Sequence, residues 1–68
     1  MFPELVVIDG EPATVIEIED KYALAESTEN FFIIVEGDDG KHYVAVRLSK
    51  REYTLSDAMK EFYDFVGV

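Results

Sequence analysis

The sequence predicts an α+β fold, with a four- or five-stranded antiparallel sheet that can curl toward a small barrel and one C-terminal amphipathic helix. Two observations carry this prediction. Residues 5–48 contain short runs that are either apolar throughout or alternate between apolar and polar residues, and turn-forming residues separate these runs. After Leu48 the apolar period changes from two to that of a helix. With 68 residues, the chain has room for one domain, residues 1–68.

The first hairpin is predicted within residues 5–19. The run Leu5–Ile8 is apolar, and the Asp9-Gly10 pair that follows readily adopts the positive φ values of a tight turn. The second strand is therefore expected to start near Ala13. Strict alternation would then put Thr14, Ile16 and Ile18 on one face of this strand and Val15, Glu17 and Glu19 on the other.

A second hairpin is predicted from Phe31–Val35, the glycine-containing loop at residues 36–41, and a return strand. Alternation in the return strand would put His42, Val44, Val46 and Leu48 on one face and Lys41, Tyr43, Ala45 and Arg47 on the other. Residues 20–30 fit a short strand, a helical turn or a loop, and the sequence leaves the three open.

The C-terminal helix follows from apolar residues at helical spacing, namely Leu55, Ala58, Met59, Phe62, Phe65 and Val66. Thr54 and Asp57 have the spacing of an N-terminal capping box. Gly67 suits the position just after the last turn, and Lys60 and Asp64 are spaced to form an i,i+4 ion pair.

One helix can cover only one face of the predicted sheet, which creates a covering problem. The runs Leu5–Ile8 and Phe31–Val35 are apolar on both faces of their strands. The second face therefore needs shelter either from closure of the sheet into a small barrel or from a second subunit. Of the two, the sequence is taken to favour a homodimer.

Charge is distributed unevenly along the chain. Residues 1–40 contain eleven Asp and Glu side chains and one basic residue, Lys21, which is formally −10. Residues 41–68 contain five basic and four acidic side chains, which is +1, so the chain carries −9. This field favours a basic protein partner and disfavours direct nucleic-acid binding, although the basic segment Lys41–Arg51 with Tyr43 could in principle stack a base.

The composition disfavours membrane insertion, secretion and disulfide formation. No apolar run approaches the ~20 residues of a membrane-spanning helix, and there is no cysteine. The N-terminal residues Met1-Phe2-Pro3-Glu4 lack the basic and long apolar regions of a signal peptide. We expect a cytoplasmic protein.

Three groups of side chains have the composition of possible chemical sites. Glu36, Asp38 and Asp39 gather carboxylates at a turn, but without the spacing of a calcium loop. Glu17 and Glu19 have a separation that would suit paired acids, and an exposed strand face explains them equally well. His42 has no serine in a nucleophile motif. The sequence thus predicts no catalytic residue, no metal and no cofactor.

The function predicted from these observations is that of a small acidic, non-enzymatic protein-binding or regulatory module that self-associates. A protein that imitates nucleic acid and inhibits a DNA- or RNA-binding protein is the alternative, because carboxylates can stand in for phosphates. The candidate partner-contact residues are Glu17, Glu19, Phe31, Phe32, Tyr43 and Arg47.

The segment Tyr53-Thr54-Leu55-Ser56-Asp57-Ala58, which follows a predicted hairpin, resembles the end of the small sheet domain of HicB-type antitoxins. In that family a comparable Thr-Leu-acid-acid-Ala sequence opens the helix, and the resemblance covers residues 31–68. The family's Pro-Gly turn is replaced here by Ser49-Lys50-Arg51-Glu52. The resemblance implies a toxin-neutralising or regulatory role, which is a third binding hypothesis.

Overall fold

The computed structural model describes residues 1–68 as a five-stranded sheet followed by a helix. Each strand pairs antiparallel with the next one along the chain. The predicted α+β architecture is confirmed, and the helix is neither long nor apolar enough to cross a membrane. The elements are β1 (Leu5–Ile8), β2 (Glu11–Glu19), β3 (Tyr22–Glu26), β4 (Asn30–Glu36), β5 (His42–Ser49) and α1 (Leu55–Val66).

Two-residue turns connect the first three strands. Asp9 and Gly10 have φ values of 51° and 81°, and Ile8 pairs with Glu11 across the turn. Two consecutive positive φ values match the right-handed twist of a hairpin, and this explains the Asp-Gly pair. The predicted turn is confirmed, but β2 begins at Glu11, two residues before the expected start at Ala13.

The segment that the sequence left open contains the central strand of the sheet. β3 lies between β2 and β4, and Ala23, Leu24 and Ala25 are completely buried. Alanine and leucine have little preference for strands, so local sequence does not select this conformation. Hydrogen bonding to strands on both sides selects it instead.

Each face of the sheet buries its own core. The outer core lies between the sheet and α1 and consists of Leu24, Phe31, Ile33, Leu48, Ala58 and Phe62. The inner core lies on the opposite face and consists of Phe2, Val6, Ile8, Ala13, Ala23, Ala25, Phe32 and Ile34, with Val15 packed against them.

The sheet curls around the inner core into a half-barrel. No helix lies on this face, so its burial requires the sheet to bend over its own side chains. Three alanines face this side and allow a tight bend, while Phe2, only 8% exposed, packs against the core from the N-terminal segment. The curl therefore covers this face in the manner of the sheet-closure alternative, and the homodimer stays a prediction.

Bulges in β2 and β5 overturn two of the predicted strand faces. In β2 the register shifts between Val15 and Glu17, so Val15 packs on the inner core and does not share a face with Glu17. In β5, Val44 pairs with Ile34 and Val46 with Ile33, which leaves Ala45 as the extra residue. A bulge reverses the alternation of every later side chain. His42 and Val44 consequently lie on the inner face, whereas Val46 and Leu48 face the helix.

The helix ends match the sequence prediction. The Thr54 hydroxyl accepts a hydrogen bond from the Asp57 N–H, and the Asp57 carboxylate accepts one from the Thr54 N–H, which lowers the pKa of Asp57. Gly67 has a φ of 84°, and its N–H donates to the Tyr63 carbonyl. The predicted pair Lys60–Asp64 does not form within the 4.0 Å of an ion pair.

Replacing Thr54 by Ala is expected to cost about 1 kcal/mol of unfolding free energy, because the first turn loses one of its capping hydrogen bonds. Urea unfolding followed by circular dichroism measures the change. Ser56→Ala is the matched control, since Ser56 is an exposed helix residue whose side chain makes no hydrogen bond. Equal losses in the two variants would contradict a stabilising capping box.

Candidate functional site

Phe31 and Phe32, two of the predicted contact residues, are core residues of this chain. Phe31 is 2% exposed and lies in the outer core, and Phe32 is 0% exposed and lies in the inner core. Neither ring can reach a partner in this conformation. The apolar run that suggested a binding face is explained by the two cores of the curled sheet.

Glu17 and Glu19 share the outer face of β2, as the alternation predicted. The Tyr63 hydroxyl of α1 donates a hydrogen bond to the Glu17 carboxylate, with an oxygen–oxygen distance of 2.9 Å. This bond raises the pKa of Tyr63, because the adjacent carboxylates disfavour a phenolate. Glu17 thus holds the helix against β2, while Glu19 makes no hydrogen bond or ion pair.

Tyr43 and Arg47 lie on opposite faces of β5, contrary to the alternation prediction. Tyr43 is opposite Val35, and its hydroxyl donates to Asp39 in the loop before β5, which raises the pKa of Tyr43. Arg47 is opposite Phe32, with its guanidinium carbon 5.3 Å from the centre of that ring. The bulge at Ala45 therefore separates the two side chains, and they do not form one stacking surface.

The three carboxylates of the β4–β5 turn do not converge on one point, and two of them make separate local contacts. Glu36 binds the N-terminal ammonium group at 2.5 Å, and this bond lowers the pKa of Glu36. Asp39 accepts hydrogen bonds from the Tyr43 hydroxyl and the Lys41 N–H, which lower the pKa of Asp39. Asp38 points into solvent without a partner. No three His, Cys, Asp or Glu side chains converge anywhere in the protein.

The most distinctive surface feature is an open groove between β1 and β5, the two edges of the curled sheet. These strands are not joined by backbone hydrogen bonds, so the half-barrel stays open there. The groove encloses about 460 Å³. We call it the seam, and it is lined by Pro3, Leu5, Val6, Val7, Ile8, Asp9, Ile34, His42 and Val44.

Side chains bridge the seam at both ends. At one end the Phe2 ring stacks on His42, with 4.8 Å between ring centres, and the Met1 ammonium group binds Glu36. At the other end Arg47 forms an ion pair with Asp9. The start of β1 is therefore close to the start of β5, and the end of β1 is close to the later part of β5. The two edge strands run parallel to each other.

Backbone groups on both sides of the seam lack a strand partner. The Val15 N–H donates to the Glu4 carbonyl, so by antiparallel alternation the peptide groups of Leu5 and Val7 point away from β2. The Gly37 N–H donates to the Lys41 carbonyl, so the peptide groups of His42 and Val44 point away from β4. Both edges offer donors and acceptors to whatever lies in the seam.

Apolar side chains flank these free backbone groups. Leu5 is 59% exposed and Val7 is 69% exposed, and Val44 is also exposed on the facing strand. Natural sheets often protect edge strands with lysine, proline or a bulge, because a flat apolar edge can pair with another chain. β1 is short, with 4 residues, but it contains no lysine, proline or bulge, whereas β5 has a bulge at Ala45. The edge of β1 is therefore able to pair with another chain.

The protein as a whole carries an excess of acidic side chains. Of the fifteen Asp and Glu side chains, only Asp9, Glu26 and Glu36 have a cationic group within 4.0 Å. The remaining twelve are not neutralised by an ion pair. Their combined field attracts positively charged molecules and repels polyanions, especially at low ionic strength.

A polar cluster that the sequence did not reveal lies at the β3–β4 turn. The Ser27 hydroxyl donates to the Glu11 carboxylate at 2.8 Å, and the Asn30 side-chain amide donates to it at 3.1 Å. These bonds lower the pKa of Glu11. The cluster ties the turn to the start of β2. Its members lie on β2, in the β3–β4 turn and at the start of β4, so their spacing along the sequence does not predict it.

Comparison of the chain with protein-family models, with curated proteins and with solved structures finds no match in any of the three.

The Glu11 cluster predicts a pH-dependent difference between the wild type and Glu11→Gln. Because folding lowers the pKa of Glu11 below its usual 4.5, the carboxylate stabilises the fold above that value and loses this effect as the pH falls through the lowered pKa. We expect Glu11→Gln to be less stable than the wild type at about pH 7, and we expect this deficit to shrink as the pH falls toward about 3.

Urea unfolding at both pH values measures this difference. Glu29→Gln is the control, because the exposed Glu29 side chain has no hydrogen-bond or ion-pair partner. A difference between Glu11→Gln and the wild type that persists unchanged at about pH 3 would show that the carboxylate charge is not responsible.

Proposed function

We propose that this protein is a small acidic, non-enzymatic protein-binding module, and that the seam between β1 and β5 is its binding site. The observation that carries the proposal is the combination found there: an apolar groove bordered by two unpaired strand edges. Polypeptides are the ligands that can satisfy backbone donors and acceptors along a strand edge.

The chemistry of the seam supports recognition of a polypeptide over bond-making chemistry. Two titratable side chains line it, His42 and Asp9, and they stand at its two bridged ends. Each is already in contact with a group of the same chain. Between them lie aliphatic side chains, which bind through burial and supply no acid, base or nucleophile.

The charge of the chain supports a basic partner. A net charge of −9, with most carboxylates outside ion pairs, accelerates the approach of a cationic protein and slows that of another acidic one. The compact basic segment Lys41–Arg51 is partly neutralised within the chain, since Arg47 binds Asp9 and Lys50 binds Glu26. The acidic surface is therefore the dominant electrostatic feature offered to partners.

Self-association is a second candidate, supported by the exposed edge of β1. Two copies could pair their β1 strands antiparallel across a two-fold axis, which would bury Leu5 and Val7 of both copies. Repulsion between two chains of −9 opposes this contact. A predicted dimer of this kind should therefore strengthen when salt is added.

Retention on the immobilised protein tests the binding proposal. Two basic proteins of matched positive charge are applied at low salt, one that binds DNA and one that does not. We expect both to be retained and both to elute as salt is raised, because the acidic field acts on each. Retention of the DNA-binding protein alone would favour the nucleic-acid-mimicking alternative, and loss of both would contradict the proposal.

The seam is tested in the same assay by Val7→Lys, with Thr28→Lys as the matched control. Both substitutions add one positive charge at an exposed position, but Val7 lines the seam and Thr28 lies in the β3–β4 turn. A larger loss of retention for Val7→Lys is expected. Equal losses would place the binding site elsewhere on the surface.

Sedimentation at micromolar concentration tests self-association. If β1 mediates a dimer, the wild type should have a dimeric mass at moderate salt and Val7→Lys a monomeric one, because the lysine interrupts an apolar edge. A monomeric mass for the wild type at low and moderate salt would remove the second candidate.

A further inference from the structure

The number of strands sets the relative direction of the two edges of the half-barrel. In an antiparallel meander each strand reverses the direction of the previous one, so the first and fifth strands run parallel. Direct pairing of β1 with β5 would place a single parallel ladder in an otherwise antiparallel sheet. One more strand, antiparallel to both edges, would complete a six-stranded barrel with a uniform hydrogen-bond pattern.

We propose that the seam receives one extended segment of a partner polypeptide, which runs antiparallel to β1 and β5 and closes a six-stranded barrel. The segment alternates apolar with polar residues and has lysine or arginine at its ends. This inference rests on the proposed function and adds the conformation, direction and side-chain pattern of the partner.

The backbone of the seam is prepared for such a strand on both sides. The outward-pointing peptide groups of Leu5 and Val7 on β1 face those of His42 and Val44 on β5. Successive N–H and C=O groups of an inserted strand point alternately to its two sides. The segment can therefore bond to both edges at once. The β1 strand of a second copy could bond to only one edge, because its other side is already paired with its own β2.

The side chains of the seam specify alternation in the partner. The inner side of the groove is apolar, with Val6 and Ile8 on β1 and Ile34 on β4. Every second residue of the segment would point onto this surface, and the residues between would face solvent. Because β1 is 4 residues long, the paired part of the segment spans roughly four to six residues.

Charges at the two ends of the seam specify basic flanking residues. Glu4 is exposed beside the entry to the groove, and it has no ion-pair partner. The bridges Met1–Glu36 and Arg47–Asp9 are at the surface, where solvent screens the attraction and an ion pair contributes little net stability. A lysine or arginine of the incoming segment can therefore replace the bridging cation and pair with Glu36 or Asp9.

A synthetic peptide tests the inference with the full chain. The probe is an acetylated, amidated peptide of about eight residues, in which valine alternates with threonine and lysine stands at both ends. One control contains the same residues with the valines grouped together. The second control carries N-methyl groups on alternate amides, which removes the donors on one edge and keeps every side chain.

We expect the probe to bind and each control to bind at least about tenfold more weakly, as measured by fluorescence anisotropy. Amide hydrogen exchange provides the readout at the site itself. Bound peptide should slow the exchange of the Leu5, Val7 and Val44 N–H groups. Equal binding of the N-methylated peptide, or binding that leaves these amides unprotected, would overturn the inference.

Val7→Pro and Val7→Thr form a matched pair of variants. Proline removes an N–H that points away from β2, so the β1–β2 ladder keeps its hydrogen bonds, while threonine retains the N–H. Probe binding should fall at least about tenfold for Val7→Pro and change little for Val7→Thr. Equal affinities would overturn the inference, and hydrogen exchange on the wild type decides it even if Val7→Pro does not fold.

The outcomes separate this inference from the proposed function. If basic proteins are retained in the column assay but the probe does not protect the seam amides, protein binding stands and strand insertion fails. If neither assay detects binding, both fail. The wild type could also be dimeric, with slow exchange of the β1 amides alone in the absence of peptide. That result would identify a second copy as the occupant of the seam and would overturn strand insertion.

Discussion

The structure depends on one constraint, which is the burial of an antiparallel sheet that is apolar on both faces. α1 covers the face that contains Leu24, Phe31 and Ile33, and it is anchored there by Phe62. No second layer is present for the other face, so the sheet bends around Phe32 and the small side chains of Ala23 and Ala25. In a chain of 68 residues without cysteine, these two cores must supply the stability of the fold.

The curl that solves the covering problem creates the candidate binding site. Bending brings β1 toward β5, but the strands meet in parallel orientation and do not pair. The gap is held by side-chain contacts at its ends, Phe2 with His42 and Asp9 with Arg47. An apolar groove with free peptide groups on both sides is therefore left between two edge strands that run parallel and do not pair.

Some of the acidic side chains stabilise the fold, in addition to contributing to the negative electrostatic field of the protein. Glu11 secures a turn, Glu17 holds the helix through Tyr63, and Asp57 caps it. These carboxylates accept hydrogen bonds from neutral groups, which stabilise the ionised form of each carboxylate and leave its negative charge unneutralised. The fold thus uses a few of its acids for internal hydrogen bonds, and most of the carboxylates lie outside ion pairs.

The sequence by itself determined the elements whose signals are local. Asp9-Gly10 specified a hairpin turn, and the apolar period with Thr54, Asp57 and Gly67 specified the helix and its ends. Tertiary structure alone decided β3, the bulges and the seam. A bulge adds one residue without a compositional signal. The bulge in β2 puts Val15 on the opposite face from Glu17, and the bulge in β5 puts Tyr43 on the opposite face from Arg47. The seam arises from contacts between residues 2–9 and 42–47, and such long-range proximity is set by packing, which no local pattern encodes.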